Sequence, residues 1–341
     1  MNMNKTNAGG FNLLWLQAGG CGGCSLSLLC AESPDLQTTL DDAGIEVLWH
    51  PMLSEASGAE MLDILEAARS GEIELDALCV EGAVKRGPKG SGRFHLLAGS
   101  GRPMMQWVEE LAQRARYTLA IGNGAAFGGI TSSGGNPTDA CGLQYSGERR
   151  GGLLGPEYRS SGGLPVINIA GCPIHPDWVT ETLAQLAMGD FHDAQLDALG
   201  RPRSYSDHLV HHGCPRNEFY EFKASACEHS QLGCMMEHMG CLGTQAHADC
   251  NLRAWNGGGS CVKGGYACIN CTEPGFQDPG HRFQETPKIA GIPIGLPSDM
   301  PKAWFVALAS LSKAATPKRL RDNALSDHII EPPRNRQREP K

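Results

Sequence analysis

Apolar and polar positions follow two different habits along this chain. Up to about residue 195, short apolar runs of strand length recur: Phe11 to Gln17 (FNLLWLQ), Ile45 to His50, Ala77 to Val80, Tyr117 to Ile121 and Val166 to Ala170. Between them, Ala59 to Arg69, Met104 to Arg116 and Trp178 to Met188 place apolar residues three or four apart, the spacing of an amphipathic helix. Strands alternating with helices predict βαβ units, hence an α/β domain over 10–195 with a mostly parallel, doubly wound sheet. From about residue 200 the alternation stops, and Gly, Cys, His and Asn dominate. Such a stretch buries too little apolar area to fold unaided, so bound metal is expected to act as the core of a second domain over 200–315. Pro-rich turns between Ile289 and Pro301 lead to one more amphipathic helix, Ala303 to Ala314, and a polar tail over 316–341.

Composition sharpens this picture. The chain has 341 residues and 41% apolar positions, enough for a real core and long enough for two domains. A formal charge of −8 argues against nucleic acid as a partner. No apolar run approaches the roughly 18 residues a membrane span needs. Fourteen cysteines would suit seven disulfides in an exported protein, but Met1 to Gly10 shows no basic segment, apolar segment or twin arginine. The expectation is a cytoplasmic chain whose thiols stay reduced and serve as metal ligands.

Eight of the cysteines fall between Cys214 and Cys271: Cys214, Cys227, Cys234, Cys241, Cys250, Cys261, Cys268 and Cys271, preceded by His211-His212. In the first half, ligand sites of a doubly wound sheet lie in the loops after the strands. Those loops hold Cys21-Gly-Gly-Cys24, Glu81-Gly82, Gly122-Asn123-Gly124-Ala125 and Gly171-Cys172-Pro173. Three cysteines from distant loops thus converge on one rim. A Cys-x-x-Cys alone also serves redox dithiols and zinc knuckles, but with Cys172 beside it a bound cluster is the better reading. Cys30, on the following helix, reads as a small buried hydrophobe.

These motifs, together with Asn136-Pro137-Thr138, His175-Pro176, His211-x-x-Cys214-Pro215-Arg216, Trp255-Asn256-Gly257 and Cys268-x-x-Cys271-Thr272-Glu273-Pro274-Gly275-Phe276, resemble the small subunit of nickel–iron hydrogenases over residues 10 to 315. The resemblance implies a flavodoxin-like domain, an irregular second domain, and three iron–sulfur clusters in a row. It implies Cys21, Cys24 and Cys172 at the proximal cluster. His211, Cys214, Cys234 and Cys241 would hold the distal one, and Cys250, Cys268 and Cys271 the medial one. It also implies a large-subunit partner carrying the nickel–iron centre, so that this chain relays electrons during hydrogen oxidation without splitting hydrogen itself. A higher oligomer of such heterodimers is compatible with it.

Two departures from the family pattern stand out. Where the family has a proline between its medial cysteines, this chain has Cys261, and four thiolates hold a complete four-iron cluster. The expectation is therefore 4Fe-4S at the proximal, medial and distal sites alike, with Cys261 as a bystander to a three-iron cluster as the alternative. The family's third proximal cysteine falls in a Gly-Thr-Cys-Ala segment, and Gly124 replaces it here. Glu81, Asp139, Cys79 and Cys141 are the candidates for the missing ligand, with a carboxylate favoured. One extra residue between Cys234 and Cys241 requires the loop Met235 to Gly240 to bulge. His212 reads as a surface residue and Cys227 as a free thiol.

The segments Gly233 to Ala248 and Pro297 to Lys313 resemble both actinobacterial-type uptake enzymes and hydrogen sensors that signal to a histidine kinase. The altered proximal site favours the uptake type. A zinc-binding structural protein or a stand-alone ferredoxin-like carrier are the other classes, and neither explains the ordered loop motifs of the first half.

Overall fold

In the computed structural model of the protein, residues 10–278, 280–289, 292–296 and 301–333 are described. The chain forms two compact units. One runs to Asp207 and takes up Cys271–Asp278; the other comprises His208–Asn270 and the chain from 279 onward.

The first unit is built on a five-stranded parallel sheet of β1 (Phe11–Gln17), β2 (Ile45–Trp49), β3 (Ala77–Glu81), β4 (Tyr117–Ile121) and β5 (Ile167–Ile169). Its order, β2-β1-β3-β4-β5, is that of flavodoxin-like folds. The central strands β3 and β4 are buried at every residue, as expected of parallel strands covered on both faces. On one face, Leu14, Leu16, Leu78, Val80 and Ala120 share a core with α3 (Ala59–Ser70) and α4 (Met104–Arg114). Met104, Trp107, Val108, Leu111 and Ala112 form the buried stripe of α4, at helical spacing. The alternate strand residues Leu13, Trp15, Cys79 and Leu119 are equally buried. Helices α1 (Gly23–Leu28), α2 (Leu36–Ala43) and α6 (Pro176–Met188) pack together. Pro176 starts α6 at the position where its missing N–H costs nothing. The short helix α5 (Gly122–Phe127) leaves directly from β4. The five strands match the predicted apolar runs to within about one residue at their ends.

The second unit is mostly turns, with single helical turns at Asn217–Glu221 and Met236–Met239. Its apolar clusters are small: Tyr220 with Met236, and Ala224 with Leu320 and Ala324. The expected C-terminal helix runs Lys302–Ala314. Part of the stretch Pro297 to Lys313, which carries some of the family resemblance, lies outside the described residues. The expected tail over 316–341 is corrected in its first part. Lys318–Ala324 is a helix that buries Leu320 and Ala324, because apolar residues four apart find a partner surface at Ala224. Among the described residues no helix is long and apolar enough to cross a membrane.

Candidate metal centre

The proximal rim follows from the sheet. The loops after β1, β3, β4 and β5 border a cleft of about 430 Å³ lined by Cys21, Cys24, Glu81, Gly122, Gly124 and Cys172. Glycine is required where these loops meet. A Cβ on Gly82 (φ +85°) would stand 2.6 Å from Gly20 N, so the β1 and β3 loops touch backbone to backbone. A Cβ on Gly122 (φ +83°) would stand 2.6 Å from Cys24 Sγ, so that glycine is the space the thiol occupies.

Glu81, 2% exposed, anchors the cysteine loop. Cys24 N–H donates to its Oε1 at 2.9 Å, and Ser25 donates to its Oε2 from both N–H (3.2 Å) and hydroxyl (2.5 Å). Bonds to a carboxylate are the stronger kind, and here they fix the start of α1 and with it Cys24. Burial, and after it the Glu81 carboxylate, push the Cys24 thiol well above its ordinary range. Burial raises Cys172 as well, and the neighbouring Cys21 adds to this. Thiols of this kind lose their protons on binding a metal cation.

Of the four residues weighed for the missing proximal ligand, Glu81 is among those lining the cleft. The others are placed elsewhere. Cys79 is fully buried within β3, where desolvation pushes its thiol up. Cys141 is fully buried in the short pairing of Ala140–Cys141 with Val84–Lys85, and burial raises its pKa to about 11. Asp139 is half exposed and paired with Arg86 at 2.7 Å. Cys30 is a correction: it is exposed rather than buried, its Sγ directed at Leu26 O (3.7 Å), because α1 ends at Leu28 and Cys30 lies beyond the helix.

The distal set lies wholly in the second unit. His211, Cys214, Cys234 and Cys241 line one cavity together with Arg216 and Tyr220. His211 and Tyr220 rings meet edge to face at 4.3 Å. Arg216 N–H donates to Cys214 Sγ at 3.4 Å and Cys268 N–H to Cys241 Sγ at 3.3 Å, so two sulfurs already accept backbone hydrogen bonds. The Arg216 guanidinium donates to the carbonyls of Gln231 (2.6 Å) and Gly233 (2.8 Å), which secures the approach to Cys234. Burial raises the Cys234 thiol to about 12 and raises Cys214 and Cys241 too. The expected bulge between Cys234 and Cys241 is the helical turn Met236–Met239, closed by Gly240 at φ +60°. His212 is exposed, and so is Cys227.

Of the medial set, Cys250, Cys261 and Cys268 belong to the second unit and Cys271 to the first. Cys261 is exposed and lies within electrostatic reach of Cys241, whose thiol it helps to raise. Among the described residues, no three His, Cys, Asp or Glu side chains are grouped tightly enough to hold one metal ion. The proximal and distal thiols line cavities instead. Cavities bordered by a Cys-Cys-Cys rim and a His-Cys-Cys-Cys set, with N–H groups aimed at sulfur, suit iron–sulfur clusters. Lys85 and His95 are site residues the sequence reading missed, and neither carried a local signal. Asn123 and Arg216 stood within motifs it quoted, without a role of their own.

Such a pair of sites, one on a flavodoxin-like domain and one on a cysteine-rich second unit, defines an iron–sulfur electron-transfer protein. Residues 21–186 match the family model described as NADH ubiquinone oxidoreductase, 20 Kd subunit. Residues 206–284 match the model for the C-terminal part of the NiFe/NiFeSe hydrogenase small subunit. The F420 non-reducing hydrogenase II small subunit of Methanosarcina mazei is 35% identical over 293 residues, covering 78% of this chain and 73% of the relative. The periplasmic NiFeSe hydrogenase small subunit of Desulfomicrobium baculatum is 31% identical over 288 residues, covering 78% and 84%. Among solved structures, the actinobacterial-type NiFe-hydrogenase from Ralstonia eutropha H16 superposes with a TM-score of 0.73 at 29% identity, covering 91% of this chain and 92% of that one.

The chain belongs to the nickel–iron hydrogenase small-subunit family. It is the electron-relay subunit of a hydrogenase, binds iron–sulfur clusters, and pairs with a large subunit that carries the nickel–iron centre.

Proposed function

We propose that this chain carries three 4Fe-4S clusters in a cytoplasmic, actinobacterial-type uptake hydrogenase. Cys21, Cys24 and Cys172, with Glu81 as the fourth ligand, hold the proximal cluster. Cys250, Cys261, Cys268 and Cys271 hold the medial one, and His211, Cys214, Cys234 and Cys241 the distal one. The observation that carries this reading is the gathering of His211, Cys214, Cys234 and Cys241 around a single cavity from loops up to thirty residues apart. For the proximal site, the fit is the space at Gly122 filled by Cys24 Sγ and the cleft bordered by all three thiols. Glu81 is favoured because its Oε1 accepts a single hydrogen bond and keeps a lone pair. The likeness to the Ralstonia eutropha structure supports the actinobacterial type.

When bound, the clusters supply one-electron redox chemistry, and the chain's own residues set its direction. The N–H groups of Arg216 and Cys268 draw electron density from distal sulfurs, which favours the reduced state there. Lys85, lining the proximal cleft, places a cation beside an anionic site. A fourth thiolate at the medial site adds negative charge, which lowers its potential relative to a three-iron cluster.

Replacing Cys261 by Pro, the family's residue there, tests the medial assignment in the purified heterodimer. The oxidised sample should then show a three-iron signal by electron paramagnetic resonance, with a higher medial potential. An unchanged spectrum overturns the four-iron assignment. Turnover of hydrogen at trace rates together with capture of a histidine kinase overturns the uptake reading in favour of a sensor.

A further inference from the structure

The segment Cys271–Asp278 lies far along the sequence from the sheet, yet it is part of the first unit. Two buried side chains tie it there. Asn123, 1% exposed, sits in the first turn of α5, between Gly122 and Gly124. Its backbone N–H donates to Gly171 O at 2.7 Å, immediately before Cys172. Its side-chain nitrogen donates to the carbonyls of Cys271 (3.0 Å) and Glu273 (2.8 Å). Two carbonyl acceptors need two N–H donors, and one amide nitrogen supplies both. The amide oxygen, directed away from them, is buried without a hydrogen-bond partner among the described residues, so the residue is placed for its donors.

Arg201, 3% exposed, makes the second tie. Its Nη1 donates to Glu273 Oε1 at 2.6 Å and Thr272 O at 3.2 Å, while its Nε donates to Asp197 Oδ2 at 2.7 Å. A buried ion triad of this sort contributes little net stability compared with apolar packing, but it specifies one arrangement. Cys271 is thereby held in a fixed position relative to Gly122, the contact surface of Cys24, and to the Cys172 loop.

We propose that Asn123 and Arg201 are positioning residues of the electron relay, fixing the medial cysteine Cys271 against the proximal rim. This rests on the reading of Cys271 as a medial ligand. The family segment Gly-Thr-Cys-Ala has threonine where this chain has Asn123, and a threonine hydroxyl offers one donor, not two. The double tie therefore accompanies the loss of the cysteine at Gly124, one residue on. Where a rim gives up a thiolate, a second anchor on the neighbouring ligand loop compensates in rigidity.

The test uses the purified, hydrogen-reduced heterodimer and reads two quantities: the magnetic coupling between proximal and medial clusters, and the medial midpoint potential. Asn123→Leu keeps the branched heavy-atom shape and removes both donors. It should narrow or abolish the coupling and shift the medial potential, with dye reduction down by about tenfold, about 1.4 kcal/mol in barrier. Asn123→Asp sets a carboxylate against two carbonyls and should do more; Asn123→Thr keeps one donor and should recover part of the coupling. Glu273→Gln, which removes the charge but not the shape of Arg201's partner, should move the same two readouts less. If Asn123→Leu fails to assemble, Asn123→Thr and Glu273→Gln still decide. Coupling and potential equal to wild type in the variants that assemble, with only the thermal midpoint lowered, overturns the proposal. Cys271→Ser separates the two layers: an unchanged medial spectrum there overturns the ligand assignment itself.

Discussion

The proximal rim and the distal quartet both gather cysteines, but by different physics. The rim inherits its geometry from a sheet that folds for its own reasons. Buried strands end at one edge, their loops hold Cys21, Cys24 and Cys172, and a core including Leu14, Leu78, Trp107 and Leu111 supports them. The distal quartet has no such support. Its unit is stitched from turns around clusters as small as Tyr220 with Met236, and its order comes from backbone bonds to sulfur and the carbonyl grip of Arg216. One site is placed by the fold; the other places its own fold. That is why the first can lose a cysteine at Gly124 and keep its shape.

Removing the iron is the largest way to break this comparison. Heterodimer made without cluster assembly should lose backbone-amide protection across 208–270 while β1, β3 and β4 keep theirs, as read by hydrogen exchange. Equal loss in both units contradicts the contrast. Next in size, Cys214→Ser should abolish or alter the distal spin signal and cut dye reduction by more than about tenfold, roughly 1.4 kcal/mol in barrier terms. The proximal signal should stay as it was. Loss of both together shows the sites to be structurally dependent.

Glu81→Gln sharpens the proximal side. It keeps the shape while removing the charge that accepts from Cys24 and Ser25, and it should destabilise the start of α1 by about 1–2 kcal/mol while changing the proximal spectrum. A variant that loses stability with an unchanged spectrum makes Glu81 an anchor only.

The smallest effect is on pH. His50 is buried against Trp15, ring centroids 4.9 Å apart, and desolvation lowers its pKa from 6.5 to about 4. The unfolded chain therefore takes up this proton first, so the stability of the first unit is full above about 6.5 and falls as pH drops towards about 4. His50→Gln should flatten that part of the profile without touching the second unit, measured by thermal midpoints across the range.

The two regions were also unequally legible in the sequence. Continuous apolar runs located all five strands, because a sheet buried on both faces leaves runs such as Ala77–Glu81, and the 3.6-residue period located helices α3, α4 and α6. The short helix α1 left no such mark: Gly-Cys-Ser-Leu-Ser-Leu is too brief for a periodic stripe, and Cys30 was read as buried for want of the helix end. In the second unit the crowding of cysteines announced metal ligands in place of a hydrophobic pattern, and the family resemblance, not spacing alone, picked out the quartet. What no pattern carried was long-range pairing. Nothing local ties Arg201 to Glu273, or Asn123 to Cys271, because those contacts join segments 70 to 150 residues apart. The helix Lys318–Ala324 was hidden for a similar reason. Its two buried apolar positions, Leu320 and Ala324, acquire meaning only against Ala224.

The central claim is that these cysteines hold iron–sulfur clusters that conduct electrons away from a partner's nickel. Iron and acid-labile sulfide, determined on the heterodimer purified without oxygen, test it most directly. Three four-iron clusters predict about twelve of each beyond the large subunit's own iron, with spin signals that appear on reduction by hydrogen. A colourless complex containing zinc, without sulfide and without such signals, contradicts it.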